Sequence, residues 1–275
     1  MRAIISGGGT GGHIFPAIAI AGAIKEKWPN AEILFVGAKG RMEMTRVPEA
    51  GYSIEGLRIS GFQRKSSLKN LLLPFKVISS IWNSFKIIKK FKPDVANGVG
   101  GYASGPLLYV ASRMNIPTII QEHNSYPGVT NRMLAGRVNK LCVAFEGMQK
   151  YFPSEKIVVT GNPVRNLNLP SSQRSDAYAH FNLEAENKTV LVTGGSLGSG
   201  TLNLAMKAAK DFISQHSEIQ WIWQIGQYYW NDFSQTETAQ LPNVFPTEFI
   251  RSMDKAYLIA DVVICRAGAL TLSEI

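Results

Sequence analysis

His13 closes the run Gly7-Gly8-Gly9-Thr10-Gly11-Gly12, which itself follows the apolar segment Arg2-Ala3-Ile4-Ile5-Ser6. A strand, a turn free of bulky side chains and a following helix bring unpaired backbone amides together, the makings of a phosphate cradle. An imidazole at that helix N-terminus is held neutral by the dipole, which suits a general base near pH 7. The other readings of His13 are a cap on the turn or a hydrogen-bond donor to a ligand; Thr10 is either a ligand donor or a turn residue. The same arrangement recurs where Thr189-Val190-Leu191-Val192-Thr193 runs into Gly194-Gly195-Ser196-Leu197-Gly198-Ser199-Gly200.

Three further groups share this chemistry. Gly98-Val99-Gly100-Gly101-Tyr102-Ala103-Ser104-Gly105-Pro106 follows a strand and precedes a helix, and reads either as a second anion-ready turn or as a tight turn with Tyr102 packed inward. Gln121-Glu122-His123-Asn124 falls at the end of the next strand, at the sheet edge where open α/β folds bind ligands. Glu122 there is a candidate catalytic group, or a capping or solvated acid. In Cys265-Arg266-Ala267-Gly268-Ala269-Leu270-Thr271-Leu272-Ser273-Glu274, the acid near a helix start can accept both hydroxyls of a ribose, or can simply complement the helix dipole.

Gly7, Gly9 and Gly12 satisfy the dinucleotide pattern G-x-G-x-x-G, but the acid that would hold a nicotinamide cofactor's ribose is missing. Glu32 opens the second strand, which runs into Gly37-Ala38-Lys39-Gly40, so an oxidoreductase is disfavoured. His180 and His216 are assigned no chemistry. Cys142 and Cys265 are too far apart in sequence for a metal-ligand spacing, and neither a disulfide framework nor a zinc site is expected.

Positioning these groups requires parallel sheets. From residue 1 to about 162 apolar strands alternate with helices, including helices expected near Pro16–Lys27 and Pro74–Lys90; the pattern breaks at Gly161-Asn162-Pro163. Leu169–Ala177 reads as a linker or surface loop, and a helix is expected near Leu202–Gln215. We therefore expect two Rossmann-like α/β domains, 1–162 and 163–275, with a cleft between them, the second incomplete at Ile275 and the chain a fragment. No run of 18 apolar residues and no signal-peptide pattern is present, so a cytosolic protein is expected.

The charge is uneven. The first 162 residues carry a net +12 and the remainder −3. Nine basic residues and no acid lie between Leu57 and Pro93, interleaved with large apolar residues, which favours an anionic lipid surface over nucleic acid. The stripe Phe75, Ile78, Ile81, Trp82, Phe85 and Ile88 at helical spacing is either core or membrane-facing.

Six ordered motifs now carry a resemblance: Gly8-Gly9-Thr10-Gly11-Gly12-His13, Gly100-Gly101-Tyr102-Ala103-Ser104-Gly105-Pro106, Gly161-Asn162-Pro163-Val164-Arg165, Gly194-Gly195-Ser196, Thr247-Glu248-Phe249-Ile250 and Cys265-Arg266 through Ser273-Glu274. Over its whole length the chain resembles the MurG family of peptidoglycan glycosyltransferases. The resemblance implies a GT-B fold and inverting transfer of N-acetylglucosamine from UDP-N-acetylglucosamine to the C4 hydroxyl of the N-acetylmuramic acid in lipid I, giving lipid II. It implies that the first domain binds the lipid-linked acceptor at the cytoplasmic face of the bacterial plasma membrane, and the second the donor.

Carried over by position, Arg165 and Ser196 would contact the donor diphosphate. The Ile250 backbone would read uracil, and Ala269, Leu270, Thr271, Leu272, Ser273 and Glu274 would hold ribose and phosphate. Thr10, Gly11, Gly12 and Asn124 would contact the transferred sugar; Gly100, Gly101, Tyr102, Ser104 and Glu122 would face the acceptor. Leu71, Phe75, Ile78 and Ile81 match the family's apolar membrane patch. His13 is the preferred base. Leu197 and His123 stand where the family commonly has glutamine, and the family's further C-terminal stretch supplies a glutamine pair and a final helix. No Asp-x-Asp pair is present, so no obligatory metal or other cofactor is expected. The alternatives are a GT-B transferase with another lipid-linked acceptor, separable by an acceptor panel, and an inactive membrane- and ligand-binding fragment, separable by liposome binding without UDP release.

Overall fold

The computed structural model describes residues 1–59, 73–164, 170–195 and 197–275. Leu71, Arg165 and Ser196, expected on the membrane patch and at the donor diphosphate, lie outside the described residues. The chain divides into two compact units, Met1–Arg165 and Asn166–Ile275.

The first unit runs β1 (Arg2–Gly7), α1 (Gly11–Lys27), β2 (Glu32–Ala38), α2 (Glu43–Glu49), β3 (Ser53–Leu57), α3 (Leu73–Phe91), β4 (Val95–Gly100), α4 (Ser104–Arg113), β5 (Thr118–Glu122), α5 (Val129–Leu134), β6 (Lys140–Val143) and β7 (Ile157–Val159). Its strands form one parallel sheet in the order β3-β2-β1-β4-β5-β6-β7. Both faces are covered, so β1 is apolar without alternation: Ile4 enters the core with Val36, Leu107 and Ile120, while Ile5 enters the opposite core with Ile14, Phe35 and Val99. The strand order reverses between β1 and β4. The turns that follow these two strands therefore emerge side by side, at the switch point where such sheets bind ligands.

One boundary and one helix face differ from those the sequence suggested. Proline favours a first helical position, which points to Pro16, yet α1 starts at Gly11. Thr10 sets the start with an extended backbone, and its carbonyl accepts from the amides of His13 and Ile14 at 3.1 and 3.2 Å. His13 therefore sits inside the first turn rather than ahead of the helix. In α3 the apolar stripe divides: Ile88 is buried and Ile81 packs against the core, whereas Phe75 is 71% exposed, Ile78 65% and Trp82 58%. Ser80 and Ser84 supply the rest of the buried face, so Ile81, expected on the membrane patch, is turned toward the core instead.

The second unit comprises α6 (Arg174–Phe181), β8 (Lys188–Thr193), α7 (Gly200–Ala208), α8 (Lys210–Gln215), β9 (Ile219–Gln224), α9 (Trp230–Phe233), β10 (Val244–Thr247), α10 (Met253–Ile259), β11 (Val262–Cys265) and α11 (Thr271–Glu274), with a parallel sheet in the order β10-β9-β8-β11. Part of the stretch read as a linker is α6. Ala177 and Tyr178 pack into a core with Ala256 and Ile259, and Arg174 donates to the Leu258 carbonyl at 2.7 Å and to the Tyr178 hydroxyl at 3.1 Å. The helix expected over Leu202–Gln215 is two helices, α7 and α8, separated at Ala209.

Candidate active site

At the switch point of the first unit two glycine turns interlock. Gly100 and Gly101 both have positive φ, 103° and 88°, and a side chain on either would overlap its neighbour: the His13 imidazole for Gly100, the Gly8 backbone for Gly101. These glycines are thus needed for close approach of one turn to the other. Ser104, expected to face the acceptor, is fully buried and donates to the Gly101 carbonyl at 2.9 Å, closing its own turn. Tyr102 remains 46% exposed beside it.

His13 hydrogen-bonds through Nδ1 to the Thr10 hydroxyl at 3.0 Å and meets His123 edge to face, with ring centroids 4.9 Å apart. Burial pushes its pKa down to about 4, the neighbouring His123 pushes the same way, and Glu122 opposes them. The main cause is therefore desolvation. His123 is also lowered, by its burial first, against the opposing pull of Glu122. Both imidazoles are neutral at pH 7, the form in which one can accept a proton.

This has a consequence for stability. His13 takes up a proton near pH 6.5 in the unfolded chain and only near 4 in the folded one. Between those values the unfolded state binds more protons, so acidification costs about 3 kcal/mol through this group and the loss levels off below about pH 4. Urea unfolding from pH 7 to 4 should show that decline, and His13→Asn should flatten it.

Glu122 is 1% exposed and both its oxygens are engaged. Oε1 accepts from the Asn124 amide at 3.0 Å and from its side chain at 3.1 Å; Oε2 accepts from the Gly128 amide at 3.0 Å and from Asn131 Nδ2 at 2.9 Å. Four donors make this carboxyl the organiser of the loop after β5 rather than a proton acceptor poised for a reactant. It fixes Asn124, which is exposed, while Asn131 is buried. Neither Asn131 nor the Gln121 bond to the Gly161 carbonyl, at 3.1 Å, was legible from spacing.

In the second unit the glycine turn after β8 is built the same way. Gly195 and Gly198 have positive φ, and a side chain at Gly198 would overlap the Ile225 carbonyl. Ser199 caps α7 by accepting from Leu202. Sequence reasoning missed Gln224, which is 2% exposed at the end of β9. Its Nε2 donates to the Gly195 carbonyl at 2.9 Å and Thr193 Oγ1 at 3.1 Å, and its Oε1 accepts from the Ile250 amide at 2.8 Å. Ile250, expected to offer its backbone to a base, therefore has its N–H occupied by Gln224. Ser273 donates to the Ala269 carbonyl at 2.9 Å, drawing the stretch Ala269 to Glu274 into the short helix α11.

Two parallel α/β units, each opening on a strand that runs into a glycine turn, make up the GT-B fold. The chain belongs to glycosyltransferase family 28, matching the family's N-terminal domain over residues 3–143 and its C-terminal domain over 189–275. It is 53% identical over its full length to a Bacteroides thetaiotaomicron protein named UDP-N-acetylglucosamine--N-acetylmuramyl-(pentapeptide) pyrophosphoryl-undecaprenol N-acetylglucosamine transferase, covering 74% of that protein. A Flavobacterium psychrophilum protein of the same name is 49% identical over 99% of the chain, again with 74% of its own length covered. The crystal structure of Acinetobacter baumannii MurG superposes with a TM-score of 0.66 at 29% identity, over 99% of this chain and 75% of that one. A Neisseria meningitidis UDP-GlcNAc 2-epimerase, TM-score 0.67 at 16% identity over 98% of this chain and 78% of its own, shares the fold.

Proposed function

We infer that this chain transfers N-acetylglucosamine from UDP-N-acetylglucosamine to the C4 hydroxyl of N-acetylmuramic acid in lipid I, forming lipid II. The observation that carries this is the match, over the whole chain at about half identity, to proteins named for that transfer. In the reaction the acceptor oxygen bonds to the anomeric carbon, the bond from that carbon to the diphosphate breaks, and UDP leaves from the opposite face. The hydroxyl proton passes to the neutral His13 imidazole. Thr10 and the amides of Gly11 and Gly12 flank that imidazole, and Asn124, oriented by Glu122, completes the sugar contacts. Charge developing on the diphosphate falls to the α7 amides, Ser196 and Arg165, and the chain lacks the Asp-x-Asp pair that would hold a nucleotide-bound metal, so no obligatory metal is proposed. Glu274 and its neighbours from Ala269 onward take the ribose. Calorimetric titration tests the donor assignment: UDP-N-acetylglucosamine should bind and UDP-glucose should not, and equal binding of both would remove the sugar selectivity.

The acceptor is lipid-linked, and α3 offers the surface to meet it. No described helix is long and apolar enough to cross a membrane. Phe75, Ile78 and Trp82 are exposed on α3, Trp82 stacks on Phe85 at 5.9 Å, and Lys86 lies over the Trp82 ring at 5.4 Å. We place this face on the anionic cytoplasmic leaflet, where each nearby lysine contributes about 1 kcal/mol. Phe75→Glu with Ile78→Glu should abolish sedimentation with phosphatidylglycerol vesicles while leaving the circular dichroism spectrum intact; undiminished sedimentation would move the membrane surface elsewhere.

A further inference from the structure

Glu43 is an acid in the first helical turn after β2, and it is 1% exposed. Its side chain turns back into the glycine turn after β1. Oε2 accepts from the Gly9 amide at 2.9 Å and Oε1 from the Ala38 amide at 2.9 Å. A side chain at Gly8 or at Gly37 would overlap it, so two glycines form the walls of the slot it fills. Both oxygens act only as acceptors, the pattern of an ionised carboxyl. In a nucleotide-binding turn of this shape, amides such as that of Gly9 point at a ligand phosphate; here a side chain of the chain itself has that place.

We propose that Glu43 is the resident anion of the first glycine turn: its carboxyl takes the amide a phosphate would use and holds the turn so that Thr10 and His13 keep their working geometry. The turn links a strand to a helix N-terminus as a phosphate cradle does, and Gly9 has a positive φ of 88°. Thr10, one residue beyond the anchored amide, both starts α1 and holds His13 Nδ1. Anchoring Gly9 thus fixes the imidazole through a single intervening residue. The same carboxyl ties the turn to the end of β2, so β1 and β2 present one rigid rim. Glu43 is a positioning residue and touches no reacting atom.

The inference rests on the transferase reading for its kinetic arm, and has a second arm that does not. Glu43→Ala leaves a slot the size of a small carboxylate. Sodium formate should raise the melting temperature of Glu43→Ala more than that of the unaltered protein, with sodium chloride at equal ionic strength giving no such difference. In the transfer assay Glu43→Ala should lose about 10²-fold in kcat with the KM for UDP-N-acetylglucosamine unchanged, and formate should restore kcat saturably. Glu43→Gln fills the slot but turns an amide donor toward Gly9 or Ala38, and should lose kcat to an intermediate extent. Formate without effect on melting or on kcat, or a Glu43→Gln enzyme with unaltered kcat, overturns the proposal. If Glu43→Ala does not fold, the Glu43→Gln result decides alone. An unaltered protein without transferase activity would count against the transferase reading, and the melting comparison would still decide the role of Glu43.

Discussion

Replacing His13 by alanine should lower kcat for sugar transfer by about 10²–10⁴-fold, the usual contribution of a positioned general base, with donor affinity little changed. The expectation rests on three features of the imidazole. Its pKa of about 4 keeps it neutral across the working pH range. Its Nδ1 is held by Thr10 at 3.0 Å, which fixes the ring orientation. It also lies at the switch point against Gly100, where a side chain would collide with it. A pKa this low makes it a weak base in the ground state, so the proton transfer must be driven by charge developing on the acceptor oxygen. The pH profile should follow: the acid limb of kcat/KM in the unaltered enzyme should fall well below pH 6.5. A His13→Ala enzyme with near-normal turnover would remove His13 from the chemistry.

The second large effect is expected at Glu122. Glu122→Ala withdraws the acceptor from four donors at once, three of them in the loop after β5 and the fourth, the buried Asn131, in α5. Each lost bond of this kind costs about 1–3 kcal/mol, and removing one partner of a buried charged network costs about 3–5 kcal/mol in all. Urea unfolding should register that loss. Turnover should fall as well, because Asn124 would no longer be held. Glu122→Gln separates structure from proton transfer: it keeps one acceptor oxygen, so it should recover part of the stability and leave the shape of the pH profile unchanged. A shifted profile in Glu122→Gln would instead give the carboxyl a direct part in proton transfer.

These two residues also show what was legible in the chain and what was not. The glycine runs after β1 and β8 announced both Rossmann-like units, because the positive φ of Gly9 and the positive φ and close approach of Gly198 favour glycine there. The neutrality of His13 was legible, but its largest cause is burial, followed by the neighbouring His123, rather than the helix terminus offered for it. Glu122 was visible as an acid at the right edge, but its role was not. Its partners Gly128 and Asn131 are six and nine residues away, a loop closure that no periodicity marks.

Glu43 was hidden for a related reason. An acid that serves a ligand ribose would belong to the end of β2 itself, whereas the acid that reaches that end comes from α2 and faces the protein's own turn. The stripe on α3 had one period but two destinations. Ile88 and Ile81 go to the core, and Phe75, Ile78 and Trp82 go outward, a division set by which residues α4 covers rather than by hydrophobicity. Helix α6 was hidden because its first residues are polar and its packing is confined to its second half, Ala177, Tyr178 and Phe181.

The most direct test is transfer of radiolabelled N-acetylglucosamine from its UDP conjugate to lipid I in detergent micelles, with product resolved by chromatography and UDP release followed in parallel. Label moving into a species of lipid II mobility, one UDP released per sugar transferred, and both lost in His13→Ala is the predicted result. UDP release without label in the lipid, or label passing equally to an unrelated lipid-linked sugar, would contradict the assigned reaction.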